Sequence, residues 1–128
     1  MPTTGDKIWG GNLLNDLPGT NQTLDWMAWL VRRDSQSMAL RDYALSVVSG
    51  CAGHDFTCEI EALYQHVRDD ITYRRDPVQQ ERVQDARRSL LLFRSGDCDD
   101  KVVALATLLA TLGHRSRFVV YGSTREKY

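Results

Sequence analysis

Apolar residues recur at helical spacing in three segments of the first half of the chain. The spacing predicts a first helix from an N-cap at Thr23 to about Arg33, and a second helix from Met38 to Val48 that ends before Gly50. A third helix is predicted from Phe56 to Ile71. It is the most regular of the three, because its apolar positions follow three- and four-residue steps at Phe56, Ile60, Leu63, Val67 and Ile71.

In the second half of the chain, the pattern of residues predicts a connector, two helices and a strand. Val78–Val83 reads as extended or irregular, and Asp85–Leu92 as a short helix. An almost wholly apolar helix then runs to a turn at Leu112–His114. The β-branched and aromatic run Arg117–Tyr121 predicts a β-strand. A single strand needs a hydrogen-bonded neighbour, which the N-terminal arm, a second copy of the chain or sequence outside it could supply.

These elements predict one mostly helical α+β domain. We expect residues 1–22 to form an extended N-terminal arm and residues 23–128 to form the domain. The 128 residues are 42% hydrophobic and 26% charged, which is ordinary for a globular protein. A net charge of −1 gives no electrostatic case for binding nucleic acid. No apolar run approaches the ~20 residues of a membrane span, so no membrane partner is expected.

The three cysteines favour a reducing compartment. Their odd number and the lack of a paired CxxC spacing argue against a disulfide framework and against a structural zinc site. Cys51 and Cys58 flank one loop and could pair, but we expect free thiols. Because no apolar segment follows the polar N-terminus, no signal peptide is expected. The predicted location is the cytoplasm.

The third cysteine, Cys98, stands where a nucleophile could form. It begins the apolar helix, where unsatisfied N–H groups and the helix dipole stabilise a thiolate. Gly96 is expected to permit a tight turn and close approach of a substrate backbone. We interpret Cys98 as a nucleophile, although a small buried hydrophobe is the alternative. The neighbouring carboxylates are expected to raise the pKa of its thiol.

The three histidines do not complete a site around Cys98. His66 reads as a helix-surface or packing residue, and His54 as a loop residue that caps the third helix. His114 lies at the far end of the helix that Cys98 begins, roughly 20 Å away at ~1.5 Å per residue. It is therefore outside hydrogen-bond reach of the thiol.

The acidic cluster beside Cys98 has two interpretations. Asp97, Asp99 and Asp100 could bind calcium through their carboxylate oxygens. We favour helix caps and dipole partners, because no glycine-spaced ligand loop accompanies them. No cofactor is expected on this interpretation.

The segment Ser95–Lys101, the apolar helix and Leu112–Val120 together resemble the core of the transglutaminase-like superfamily. Upstream, Ala62–Pro77 is similar to the helix and connector that precede that core. The likeness covers roughly Thr23 to Tyr121 and is greatest to small bacterial and phage-encoded transglutaminase-like cysteine peptidases.

The resemblance implies a papain-like α+β fold with Cys98 as the nucleophile. Such enzymes transfer acyl groups from a protein or peptide substrate through a thioester. The family takes its histidine and aspartate from strands that follow the one at Arg117–Tyr121, and this chain ends at Tyr128. We therefore expect a truncated domain that is inactive alone. The alternative is a non-catalytic helical module that forms a homodimer through its unpaired strand.

Overall fold

The computed structural model describes residues 9–10, 17–75, 80–81 and 83–120 of the chain. It contains four α-helices, which we label α1 (Leu17–Asp34), α2 (Met38–Val47), α3 (Phe56–Asp70) and α4 (Cys98–Thr111). A short π-helix, Arg88–Leu92, precedes α4. The strands have two residues each: β1 (Trp9–Gly10), β2 (Thr72–Tyr73), β3 (Gln80–Glu81) and β4 (Ser95–Gly96). The mostly helical α+β fold class is confirmed.

Helix α4 is the centre of the packing. Helices α1, α2 and α3 all pack against it. Its residues Ala104 and Leu108 belong to one core with α2, α3 and the π-helix, whereas Val103 packs with Trp26 and Leu30 of α1. Because apolar residues point to most sides of α4, burying them requires neighbours all round. The predicted apolar helix that begins at Cys98 is confirmed, and most of its residues are buried.

Two pairs of strands complete the described fold. Strands β1 and β3 are antiparallel, and β2 and β4 are parallel, with Thr72 opposite Ser95 and Tyr73 opposite Gly96. The parallel pair connects the end of α3 to the residues that lead into α4. It therefore fixes the start of the central helix.

The first helix begins earlier than predicted. Helix α1 starts at Leu17 rather than at Thr23, so residues 17–22 are helical and not extended. Pro18 is compatible with this start, because a proline in the first turn removes only an N–H group that has no intrahelical partner. The division into an arm and a domain stays a prediction.

The predicted strand Arg117–Tyr121 is not formed in its described part. Residues 114–120 have no regular secondary structure, and Tyr121 lies outside the described residues. Phe118 instead packs against the apolar cluster of α1. The β-propensity of this run is not sufficient for a strand, because a strand needs a hydrogen-bonded neighbour.

The expectation that Cys51 and Cys58 are free thiols was wrong. The two form a disulfide across the turn between α2 and α3, with their Cα atoms 5.8 Å apart. The odd cysteine count is explained by Cys98, which is free and exposed. The cysteine argument for a reducing compartment therefore fails. Separately, no helix in the described part of the chain is long and apolar enough to cross a membrane.

We expect the disulfide to stabilise the fold modestly. Replacing Cys51 and Cys58 together by Ala should lower the free energy of unfolding by about 2 kcal/mol, because a short cross-linked loop restricts the unfolded chain. Urea unfolding with and without a reducing agent measures the change. The Cys98→Ala variant should keep the full response to reduction. A wild-type stability that does not respond to reduction would contradict this prediction.

Candidate active site

The residues that lead into α4 are held by backbone hydrogen bonds to the end of α3. The Thr72 N–H donates to the Arg94 carbonyl oxygen at 3.0 Å, and the Arg74 N–H donates to the Gly96 carbonyl oxygen at 2.8 Å. Arg94 turns the chain into β4 with a positive φ of 52°. These bonds fix the position of the two residues that precede Asp97 and Cys98.

A reciprocal capping box begins α4. The Asp97 carboxylate accepts a hydrogen bond from the Asp100 N–H, and the Asp100 carboxylate accepts one from the Asp97 N–H, both at 3.0 Å. The second oxygen of Asp100 accepts from the Gln84 N–H at 2.7 Å. The interpretation of Asp97 and Asp100 as caps is confirmed. Sequence reasoning missed Gln84, because no local pattern indicates a contact sixteen residues away.

Gly96 is required by the Asp100 side chain. A Cβ atom at position 96 would lie 2.5 Å from the Cβ atom of Asp100, which is a severe overlap. Gly96 is buried, and its φ is not in the left-handed region. The space that we expected for a substrate backbone is therefore occupied by Asp100. The glycine serves close packing rather than a strained turn.

Cys98 is the first residue of α4, and its side chain is exposed. Its Sγ lies 3.9 Å from Oδ1 of Asp99. Partial desolvation raises the pKa of the thiol, and the negative charges of Asp99 and Asp97 raise it further. Backbone N–H groups of Asp99 and of Cys98 itself act in the opposite direction. The helix start thus favours the thiolate as expected, but the opposing effects prevail.

Two of the three histidines form hydrogen bonds away from Cys98. His114 pairs with Glu59 at 2.9 Å, near the N-terminal end of α3. His66 lies between the Tyr43 hydroxyl and the Asp70 carboxylate, with 2.8 Å from its Nδ1 to Asp70. The prediction that His66 is a packing residue fits these contacts. The separation of His114 from Cys98 follows from its place beyond the far end of α4.

The third histidine does not cap α3. The N-cap is Asp55, whose carboxylate accepts a hydrogen bond from the Cys58 N–H at 3.1 Å. His54 precedes it with a positive φ of 63° and packs edge-on against the ring of Phe56. An aspartate is the better cap because its carboxylate accepts readily from the first-turn N–H groups. Our expectation that His54 caps α3 was wrong, although His54 does lie in the loop before this helix.

An apolar groove adjoins Cys98. It has a volume of about 250 Å³. Besides Cys98, its walls come from α3, β2 and α4, through Tyr64, Val67, Arg68, Tyr73, Lys101, Val102 and Leu105.

The polar ends of two groove residues are directed to other groups. The Lys101 ammonium donates to the Arg68 carbonyl oxygen at 3.1 Å. The Arg68 guanidinium pairs with Asp69 and lies over the Tyr64 ring. The groove therefore presents mainly carbon atoms beside the thiol. In the sequence, the aromatic Tyr64 lies outside the regular apolar positions of α3. This is the signal that could have indicated the groove.

The fold and the site define a class of α+β protein in which a cysteine begins a buried central helix beside a small sheet. The model of the transglutaminase-like superfamily matches residues 41–127, which is most of the chain and includes most of α2 and all of α3 and α4. The chain belongs to the transglutaminase-like superfamily. No curated protein and no solved structure matches it.

The role of Gly96 can be tested by adding one methyl group. Gly96→Ala should lower the free energy of unfolding by about 2 kcal/mol, because the new Cβ overlaps the buried Asp100 side chain. Gly53→Ala is the matched control, since a Cβ at position 53 meets no atom within 4 Å. Thermal or urea unfolding of both variants makes the comparison. Equal stabilities would show that Asp100 does not exclude a side chain at position 96.

The effect of the neighbouring carboxylates on Cys98 can be tested by alkylation. Because the folded pKa of the thiol is raised, we expect its labelling by iodoacetamide to reach half its maximal rate at a higher pH than for an ordinary cysteine. Asp99→Asn removes one of the charges that raise this pKa, so the profile should move to lower pH. Asp42→Asn, on α2, should leave it in place. An unmoved profile in Asp99→Asn would refute the electrostatic explanation.

Proposed function

We propose that Cys98 is the nucleophile of an acyl-transfer reaction on a protein or peptide substrate. The observation that carries this proposal is the exposed thiol at the first turn of a buried helix, beside an apolar groove. Membership of the transglutaminase-like superfamily supports it. We also propose that the protein resembles the bacterial and phage cysteine peptidases of this superfamily.

The proposed reaction has two steps. The thiolate of Cys98 attacks the carbonyl carbon of a substrate amide, the C–N bond breaks, and the amine leaves with a proton, so that a thioester remains. Water or an amine then attacks the thioester carbonyl, the C–S bond breaks, and the thiol is regenerated with the proton of the attacking group. The rigid helix behind Cys98 supports the reaction by holding the sulfur in place.

The apolar groove is the proposed site for the acyl group. Val67 and Leu105 lie within its walls, and Tyr73 and Val102 expose apolar surface beside Cys98. Burial of apolar surface on binding is favourable, so a substrate with a large apolar side chain next to its reacting carbonyl gains affinity there. A charged acyl group would lose its hydration without a partner.

We further propose that this chain reacts slowly by itself. The raised pKa keeps Cys98 mostly in its thiol form at neutral pH. Among the described residues, no histidine contacts the thiol. A base from another source would raise the reactive fraction and supply the proton for the leaving amine. Calcium at Asp97, Asp99 and Asp100 is not part of the proposal, because Asp97 and Asp100 already accept backbone N–H groups.

An interaction module is the second candidate function. Exposed apolar side chains at Val119 and Val120 favour it, since they offer surface to a second copy of the chain. Residues 114–120, however, form no strand through which two copies could pair. The thiol beside its groove supports the acyl-transfer proposal more directly.

Activated esters test the nucleophile and the groove together. The 4-nitrophenyl esters of phenylacetic and acetic acid should both acylate Cys98, and mass spectrometry of peptides locates the thioester. We expect the phenylacetyl ester to react about tenfold faster relative to its reaction with a free thiol, because the groove buries its ring. Acylation should rise with pH as the thiolate forms.

Matched variants separate the two parts of this test. Cys98→Ala should abolish the adduct, and Val102→Asp should remove the preference for the phenylacetyl ester. Val119→Asp places the same charge on an exposed valine outside the groove and should keep the preference. Acylation that survives in Cys98→Ala would refute the nucleophile, and an unchanged preference in Val102→Asp would refute the groove.

A further inference from the structure

A second groove lies beside the residues that lead to Cys98, and it has a different character. Its volume is about 240 Å³, and none of its described lining residues also lines the apolar groove. Two consecutive arginines, Arg74 and Arg75, line it together with Gln84, Phe93, Ser95 and Asp100. We propose that this groove binds a carboxylate of the substrate peptide, an inference that rests on the proposed function of Cys98.

Arg74 and Arg75 are exposed, and neither forms an ion pair within the described residues. Among the described residues that line the groove, the carboxylate is that of Asp100, which is 1% exposed and accepts the N–H groups of Asp97 and Gln84. Two adjacent positive charges repel each other, and a bound anion removes that repulsion. Arginine also matches a carboxylate with two parallel hydrogen bonds.

The groove is tied to the nucleophile by the backbone. The Arg74 N–H donates to the Gly96 carbonyl oxygen at 2.8 Å, and Gly96 is two residues before Cys98. The arginines therefore cannot move far from the thiol without breaking the β2–β4 pair. An extended peptide advances ~3.3–3.6 Å per residue. The bound carboxylate would thus belong to a residue near the reacting carbonyl in the substrate sequence.

The size of the groove decides which anion fits. Pockets for cofactors and drug-sized ligands measure roughly 300–1,000 Å³. A groove of about 240 Å³ is smaller and is suited to one side chain or one chain terminus. Phe93, which is exposed, can cover the carbon atoms of such a group. We therefore infer an acidic residue or a terminal carboxylate of a peptide rather than a nucleotide.

Affinity labelling of Cys98 tests this inference without requiring turnover. The probes are chloroacetyl-glutamate amide and chloroacetyl-glutamine amide, which differ in one charge. A second pair, chloroacetyl-glycylglycine and its amide, presents a terminal carboxylate instead of a side-chain one. Each pair is compared by its labelling rates at one pH, so the thiolate fraction cancels from the ratio. After correction for the same ratio with a free thiol, at least one acidic probe should label about five to ten times faster than its neutral partner.

Variants then assign the preference to the arginines. In Arg74→Gln/Arg75→Gln the ratio should fall to about that of a free thiol, and Arg74→Lys should keep part of it because the charge remains. Arg115→Gln removes an exposed positive charge beyond the far end of α4 and should leave the ratio unchanged.

The outcomes separate this inference from the proposed function. A wild-type ratio no greater than that of a free thiol, or one that survives in the double variant, would overturn the carboxylate site. If the double variant loses the preference only for the glutamate probe, the groove binds a side-chain carboxylate. If it loses the preference only for the glycylglycine probe, the groove binds a terminal carboxylate. A protein that shows the preference but forms no thioester with the activated esters would retain the site and lose the proposed reaction.

Discussion

The buried carboxylate of Asp100 is the constraint on which the start of α4 depends. A charged group with 1% of its surface exposed is costly unless hydrogen bonds replace its hydration. Here the N–H groups of Asp97 and Gln84 supply them. The Gln84 side chain continues the network, since its amide donates to the Ser95 carbonyl oxygen at 3.0 Å. The connector, β4 and the helix start are thereby joined around one anion.

This constraint explains most of the segment Ser95–Lys101 without reference to catalysis. Gly96 makes room for the Asp100 side chain, Asp97 caps the helix, and Asp100 completes the box. Cys98, by contrast, is exposed and has no part in the capping box. A motif can therefore look like a metal site or a catalytic cluster while three of its positions serve folding. The proposed function therefore rests on Cys98.

The spacing of apolar residues in the sequence could predict the helices, because this spacing is a property of residues close together in the chain. Helices α2, α3 and α4 follow from apolar spacing, and Cys98 follows from its place at the start of an apolar helix. The parallel pair β2–β4 could not be found this way, because strands of two residues carry no alternation and their pairing depends on distant chain segments. Gln84 and Tyr73 reach the site through the same long-range contacts. The extended run at Arg117 shows the converse, since β-propensity did not produce a strand where no neighbour is paired with it.

The carboxylate of Asp97, which caps the start of α4, also opposes ionisation of the Cys98 thiol. Partial desolvation and the carboxylates of Asp99 and Asp97 all raise the pKa of Cys98, although the backbone N–H groups of the helix start lower it. A helix start can acidify a cysteine only when its positive end is not offset by nearby carboxylates. In this domain it is offset, and partial desolvation adds to the effect, so holding the sulfur in place and activating it are separate tasks. An imidazolium placed next to Cys98 would perform the second task, because its charge would oppose the two carboxylates without disturbing the hydrogen bonds of Asp100. The proposed acyl transfer at neutral pH therefore depends on such a group, whereas the position of the sulfur is already fixed by α4.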